Sequence, residues 1–359
     1  MTCHEAAGGD GEAPHSLLLY DSEESLRGRA VPFLRAGLDR GETVIAVVSA
    51  DVQRALRPAL GDDAARVQWQ ADDVSYQRLG AMFEGFRQFL AEQRAAGVAL
   101  RLLAQNDRTG TPHRMAAYLR NEAMANEVLG AFGYPWACLY DIRSNSTETL
   151  RDAQQTHPRL LDDSGREVPN GDYLNPGTYL SRPQQPPRPP AAVQLDLTVI
   201  GPADLVDFRP LLRRWAEPHT GSLRDAGDVL VAVGEAVTNA LQHGAPPVRV
   251  RAWTVDGVAR VQVHDGGRTP IPATAGYHRP PPGHGHGHGL WVARQLADVI
   301  TTHTDDAGTV ITLDFPSPIT ISNRLHSRMS SRASGSGDDQ AVAPTSDPPP
   351  KVRGWRGVV

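Results

Sequence analysis

The stretch DVLVAVGEAVTNALQHG, residues 228–244, constrains this chain more than any other. Its residues Leu230, Val233, Val237, Ala240 and Leu241 recur at the three-and-four spacing of a helix that buries one stripe. Along the opposite face Glu235, Asn239 and His243 repeat every four residues, lining up a carboxylate, a carboxamide and an imidazole. Such a row of polar groups beside a core-forming stripe, two of them oxygen donors, suits a site for a metal ion and an anionic ligand better than a plain solvated face.

The segments after this helix follow in a definite order. Strand-like runs VRVRAWTV (248–255) and ARVQVHD (259–265) come first, the second leading into Gly266-Gly267. GHGHGHGL (283–290) then enters a helical segment, LWVARQLADVI, and GTVITLDF (308–315) reads as a last strand. This order, with the runs GEAVTNALQHG and GHGLWVARQLAD, resembles the ATP-binding domain shared by histidine kinases, gyrase-type ATPases and anti-sigma-factor serine kinases. Within that superfamily it is most similar to the last group. The resemblance implies an α/β sandwich over residues 192–316 that binds ATP and Mg2+.

The resemblance also assigns roles. Asn239 would ligate the magnesium ion, which favours hard oxygen ligands and keeps several waters. Glu235, one turn away, would position or deprotonate an attacking hydroxyl. Asp265 would accept a hydrogen bond from the adenine amine, with Gly266 and Gly267 allowing close backbone approach. Gly285, Gly287 and Gly289, followed by Leu290, would form a lid whose amides face phosphate oxygens. Thr309 would contact the phosphates or the adenine pocket, or simply open its strand. His243 either faces the nucleotide or caps the helix before Gly244. Thr269-Pro270 stands where the superfamily usually has a further glycine. His284, His286 and His288 alternate with the lid glycines and read as spacers rather than metal ligands.

Composition narrows the function further. Lys351 is the chain's one lysine, which excludes a P-loop and lysine Schiff-base chemistry. A net charge of −5 gives no electrostatic case for nucleic acid. Two cysteines, Cys3 and Cys138, with no Cys-x-x-Cys pair, argue against a disulfide framework and a cysteine zinc site. With no signal-like start and no apolar run of spanning length, a cytoplasmic protein that is not membrane-bound is expected.

The first half alternates strand-like and helix-like runs from His15 onward: LLLY, SEESLRGRAVPFLRAGLDRG, TVIAVVS, DVQRALRPAL, RVQW, a long helix to Gly97, VALRLLAQ, PHRMAAYLRNEAMANEVLGAFG and PWACLYD. Strands separated by crossover-length helices predict a mostly parallel α/β domain. HSLLLYDSEESLRGRAVPFLRAGLDRGETVIAV, RNEAMANEVL, WACLYD and the THP of 156–158 are similar to the MEDS domain, a sensory module. That resemblance covers 14–180 and implies a RecA-like fold without a working P-loop, sensing a small molecule. His15, Arg114, Asn121 and Glu122 are its candidate ligand-site residues, with surface or capping roles as the alternative.

Residues 1–13 and 317–359 are expected to be disordered, and the proline-rich 181–191 to be a stiff linker. The implied function is an ATP-dependent anti-sigma factor and serine protein kinase. It would hold a sigma factor and phosphorylate a STAS-type antagonist under control of the MEDS domain; a homodimer is compatible with that subfamily. The alternatives are a sensor histidine kinase and a non-catalytic ATP-binding module that sequesters the sigma factor. A histidine kinase needs a helical hairpin bearing its phosphoacceptor just ahead of the ATPase, where this chain has prolines instead.

Overall fold

The computed structural model describes residues 15–70, 78–106, 111–280 and 287–316; the expected disordered ends, His284, Gly285 and His286 lie outside them. The chain divides into two compact units, Met1–Arg182 and Pro183–Val359.

In the first unit the elements run β1 (His15–Tyr20), α1 (Glu23–Asp39), β2 (Thr43–Val47), α2 (Ala50–Leu60), β3 (Gln68–Gln70), α3 (Leu79–Ala95), β4 (Leu100–Gln105), α4 (Pro112–Val128), β5 (Trp136–Asp141), α5 (Thr147–Thr156), β6 (Arg159–Leu161), β7 (Glu167–Pro169) and α6 (Pro176–Leu180). Five helices begin on a capping side chain: Ser22, Ser49, Thr111, Ser146 and Asn175 each accept a first-turn amide. The sheet order is β3-β2-β4-β5-β1-β6-β7, parallel from β3 to β6, with β7 antiparallel at the edge.

That order dictates where the helices lie. The chain steps one way across the sheet from β1 through β2 to β3, then the other way through β4 and β5 to β6. Right-handed crossovers therefore place α1 and α2 on one face and α3, α4 and α5 on the other. Packing agrees: Phe33, Leu34, Val52 and Leu56 from α1 and α2 share one apolar cluster with Leu18, Val44, Leu103 and Leu139. α4 packs against α3, α5 and α6. The alternate strand positions, including His15, Trp136, Cys138 and Tyr140, face the α4 side.

In the second unit the order is β8 (Leu195–Val199), α7 (Leu205–His219), α8 (Leu223–His243), β9 (Val248–Val255), β10 (Val258–Asp265), α9 (His288–Leu296), β11 (Val299–Asp305) and β12 (Gly308–Pro316). An antiparallel sheet, β11-β12-β10-β9-β8, packs one face on the helices. The buried side of α8 is Ala226, Val229, Ala232, Val233, Ala236, Val237 and Ala240, with Leu230 and Leu241 at its margin. Small residues dominate there because α7 and α9 both pack on α8.

One sequence expectation is corrected. The helical segment expected to run on through LADVI stops at Leu296, and Val299–Asp305 is a strand paired with β12. Its β-branched run Val299, Ile300, Thr301, Thr302 and Thr304 favours the pleated sheet, while the helical period of the preceding residues masked the change. Part of the proline-rich segment lies along the second unit's sheet: Gln262 Nε2 donates to Pro187 O at 2.6 Å and Thr302 N to Gln184 Oε1 at 3.3 Å.

Replacing Leu34, fully buried in α1, by alanine should destabilise the first unit by about 2–5 kcal/mol. Val206→Ala, at a residue 76% exposed, should change stability by less than about 0.5 kcal/mol. Denaturant melts of the two variants check this.

Candidate functional site

The polar row predicted on α8 is a contact line rather than a solvent face. Glu235 and Asn239 are half-buried because the start of α9 lies against them. A Cβ added at Gly289 would stand 2.7 Å from Glu235 Oε2 and 3.1 Å from Asn239 Nδ2, so only hydrogen fits comfortably there. His243 is exposed at the last position of α8, where Gly244 N closes the helix on Ala240 O at 3.0 Å.

Asp265, at the end of β10, is buried and ties three elements together. Its Oδ1 accepts the amides of Ala245 at 3.1 Å and Gly267 at 2.7 Å, joining the exit of α8 to the exit of β10. Neither bond uses Oδ2, which keeps its lone pairs for a donor outside this turn. A Cβ on Gly244 would collide with the Asp265 carboxylate, and one on Gly267 would come 2.7 Å from Oδ1. Thr309 is paired with Asp265 across the β10–β12 register, and its hydroxyl donates to Gly267 O at 2.8 Å. Gly308 beside it has φ +124°, and a Cβ there would run into Asp265 O.

The far wall is the loop before the glycine run and the helix after it. Gly287 caps α9 in a left-handed conformation (φ +91°) and supplies no side-chain acceptor, so first-turn amides of α9 have no capping oxygen. Leu290 packs on the apolar core, and Gly276 nests against it. The Arg294 guanidinium lies 3.9 Å from the Tyr277 ring centroid, holding the 271–277 loop to α9. The structure thus brings together Glu235, Asn239 and Gly289, and separately Asp265, Gly267 and Thr309, the two groups linked along α8. Gly244 is the residue that sequence reasoning passed over. Its signal was the glycine closing a helix whose exit meets a strand-end aspartate.

In the first unit the candidates His15, Arg114, Asn121 and Glu122 are neither surface nor simple capping residues, for all four are buried. Arg114, Asn121 and Glu122 belong to the buried residues of α4, and His15 is buried at the start of β1. Around Glu122 stand His15, Cys138 and His157. Burial, with the neighbouring His157 ring, holds His15 well below the usual imidazole range. Burial holds His157 down too, against the pull of Glu122. Burial, reinforced by Glu122, pushes the Cys138 thiol well up.

Comparison with known sequence families matches residues 14–158 to the MEthanogen/methylotroph, DcmR Sensory domain (MEDS) and residues 201–315 to the Histidine kinase-like ATPase domain. No curated protein matches. Among solved structures, the RsbU and RsbW domains of a Mycobacterium tuberculosis protein are 25% identical, covering 34% of this chain and 32% of that one, with a TM-score of 0.27. The Erythrobacter litoralis blue-light activated histidine kinase is 28% identical over 28% of this chain and 33% of that one, TM-score 0.22. The histidine kinase domain of the E. coli osmosensor EnvZ is 20% identical over 34% and 73%, TM-score 0.20. This chain spans about a third of the length of the first two.

Gly308→Ala should cost about 1–3 kcal/mol in the second unit, from the backbone conformation it forbids. Thermal unfolding followed by circular dichroism reads the loss.

Proposed function

We propose that this chain, which carries a MEDS domain followed by a histidine kinase-like ATPase domain, is an ATP-dependent serine protein kinase that controls a sigma factor. Its substrate is a STAS-type antagonist protein, and the MEDS domain biases the kinase according to a bound small molecule. The ATPase fold implies ATP binding and a kinase-type activity. The observation that supports the further reading is the placement of Glu235 one turn from Asn239, both against the glycine that starts α9.

The residues fit a nucleotide with a divalent ion. Asn239 offers a hard carboxamide oxygen, Asp265 offers an acceptor on an otherwise satisfied carboxylate, and the glycine at 289 keeps the space over α8 free of a side chain. Bound there, ATP and its ion supply the transferable phosphoryl group and charge neutralisation at the phosphates. Asn239 holds the ion, the α9 amides face the phosphates, and Asp265 selects the adenine amine. Glu235 aligns the partner's serine hydroxyl and takes its proton.

The serine rather than histidine acceptor is supported by what precedes β8. The segment there is proline-rich and hydrogen-bonded to the sheet, not a helical hairpin. His157, the histidine ahead of it, is fully buried at the end of α5, with Nδ1 held 2.7 Å from Ala153 O.

Labelled ATP with magnesium and a panel of STAS-type domains tests this. Acid-stable label on the antagonist, reduced about 10²- to 10⁴-fold by Glu235→Ala with nucleotide binding retained, is expected. Acid-labile label on the chain itself would overturn the serine assignment. In the same assay Asp265→Asn should weaken ATP binding roughly tenfold or more, because the amide NH2 replaces the acceptor facing the base while Oδ1 can keep its backbone bonds. Calorimetry with a non-hydrolysable analogue reads that change.

A further inference from the structure

The most unusual polar cluster of the described residues lies in the core of the first unit. His15 opens β1, Glu122 sits in α4, Cys138 lies in β5 and His157 ends α5, so four separate elements meet. One donor atom from each of the four lies within 4.8 Å of all the others, and every one of these residues is buried.

The hydrogen bonds around the cluster fix what each donor can do. Asn126 Nδ2 donates to Thr156 O at 2.8 Å and Ala123 O at 3.1 Å, so Asn126 Oδ1 is the atom facing His15. His15 Nδ1, 3.1 Å away, must then carry the proton, which leaves Nε2 a lone pair. That lone pair meets Cys138 Sγ at 3.3 Å. His157 is set the same way: Nδ1 donates to Ala153 O at 2.7 Å, and the bare Nε2 has no hydrogen-bond partner. Glu122 accepts the Tyr140 hydroxyl on Oε2 at 2.5 Å, while Oε1 has no partner. His157 Nε2 and Glu122 Oε1 thus lack hydrogen-bond partners in the buried core, and His157 Nε2 faces the same carboxylate at 3.9 Å from Oε2. Acceptors facing one another in this way are costly unless positive charge is supplied between them.

We propose that His15, Glu122, Cys138 and His157 bind one zinc-class divalent transition-metal ion. Thiolate and imidazole exclude magnesium and calcium and select a borderline-soft ion. Four protein ligands of mixed N, O and S type fit a tetrahedral centre, whose donors stand about 3.3–3.8 Å apart, a small contraction from the present spread. The metal takes the place of the proton shared by Cys138 Sγ and His15 Nε2, and that proton leaves to solvent. Charge then balances inside the core, because two ligand anions offset the dication. Asn126 and the Ala153 carbonyl act as positioning partners that hold the two imidazole tautomers. The cysteine zinc site ruled out from the absence of a Cys-x-x-Cys pair comes back as a mixed-ligand one.

Besides the oxygen-donor site proposed at Asn239, Cys3 and the histidine–glycine run carry soft donors on which a transition metal could lodge. The test therefore uses the full chain with Cys3→Ala and His284, His286 and His288 changed to glutamine. Titrated with Co2+ alone, this protein should take up about one equivalent, with a near-ultraviolet sulfur-to-metal band and the intense visible bands of tetrahedral cobalt. Zn2+ should bleach both. Cys138→Ala, a small change beside Ala137, should abolish the sulfur band. Asn126→Ala should raise the Kd about 10- to 100-fold without moving the band, a readout that a purely structural role would not give. Should Cys138→Ala fail to fold, Glu122→Gln keeps the acceptor for Tyr140 and should weaken Co2+ binding at least about tenfold. No cobalt uptake, a six-coordinate spectrum, or a sulfur band that survives Cys138→Ala would overturn the site.

Discussion

The ATPase unit depends on one carboxylate oxygen. Asp265 Oδ1 collects the amides of Ala245 and Gly267, and by doing so fixes the end of α8 against the end of β10. A Cβ at 244 or 267 would meet the carboxylate itself, and one at 308 would meet the backbone carbonyl of the same aspartate, so glycine is demanded at all three. Those positions come from three stretches far apart in the sequence, yet each is small because of Asp265. Hydrogen bonds from two amides to a single oxygen are charge-assisted, and a shielded site makes them stronger. The geometry that orients Oδ2 is therefore set by backbone, not by a flexible side-chain network. Asn239 and Glu235 inherit their position from it, since they lie about one and two turns back along the same helix.

In the first unit the ordering principle is topological. The reversal of direction between β3 and β4 decides which strand residues see α1 and which see α4. His15 pairs with Trp136, and Leu17 with Cys138, in the parallel β1–β5 register. Sheet pleating then sends His15 and Cys138 to the α4 face, where Glu122 and the turn at His157 close around them. The alternate face is mostly apolar, though it also holds buried Ser16 and Gln105 and the Arg101–Glu42 pair, whose guanidinium lies 4.6 Å from the Phe33 ring centroid. One side of the sheet holds the fold together by packing, while the other carries a polar centre.

Much of this was legible in the sequence. The 228–244 stripe fixed the buried side of α8, and the strands around β10 agree with their predicted runs to within a residue. Both matching families were visible in short motifs because those motifs are contiguous. What the sequence hid is non-contiguous. Nothing in HSLLLY, RNEAM, WACLYD or THP shows that His15, Glu122, Cys138 and His157 meet, because that depends on strand order and register. The same holds for Gly244, whose need for hydrogen arises from an aspartate twenty-one residues away. β11 escaped notice for another reason: the helical period of α9 runs without a glycine or proline into a β-branched segment, so no local signal marks the change.

The lysine composition gives the ATPase site its electrostatic character. With Lys351 the chain's one lysine, the positive charge that a triphosphate requires has to come from arginine, backbone amides and a divalent ion. The described flanks of the glycine run already hold two guanidiniums on aromatic rings, Arg279 over Trp291 at 5.5 Å and Arg294 over Tyr277 at 3.9 Å. Stacking on a ring fixes the plane and position of a planar guanidinium in a way that a lysine ammonium, a point charge on a flexible stem, would not reproduce. Arg294 is fixed twice over, since its Nε also donates to Ala275 O at 3.2 Å. The positive charge beside the glycine run is therefore set by ring packing and backbone rather than by a mobile side chain.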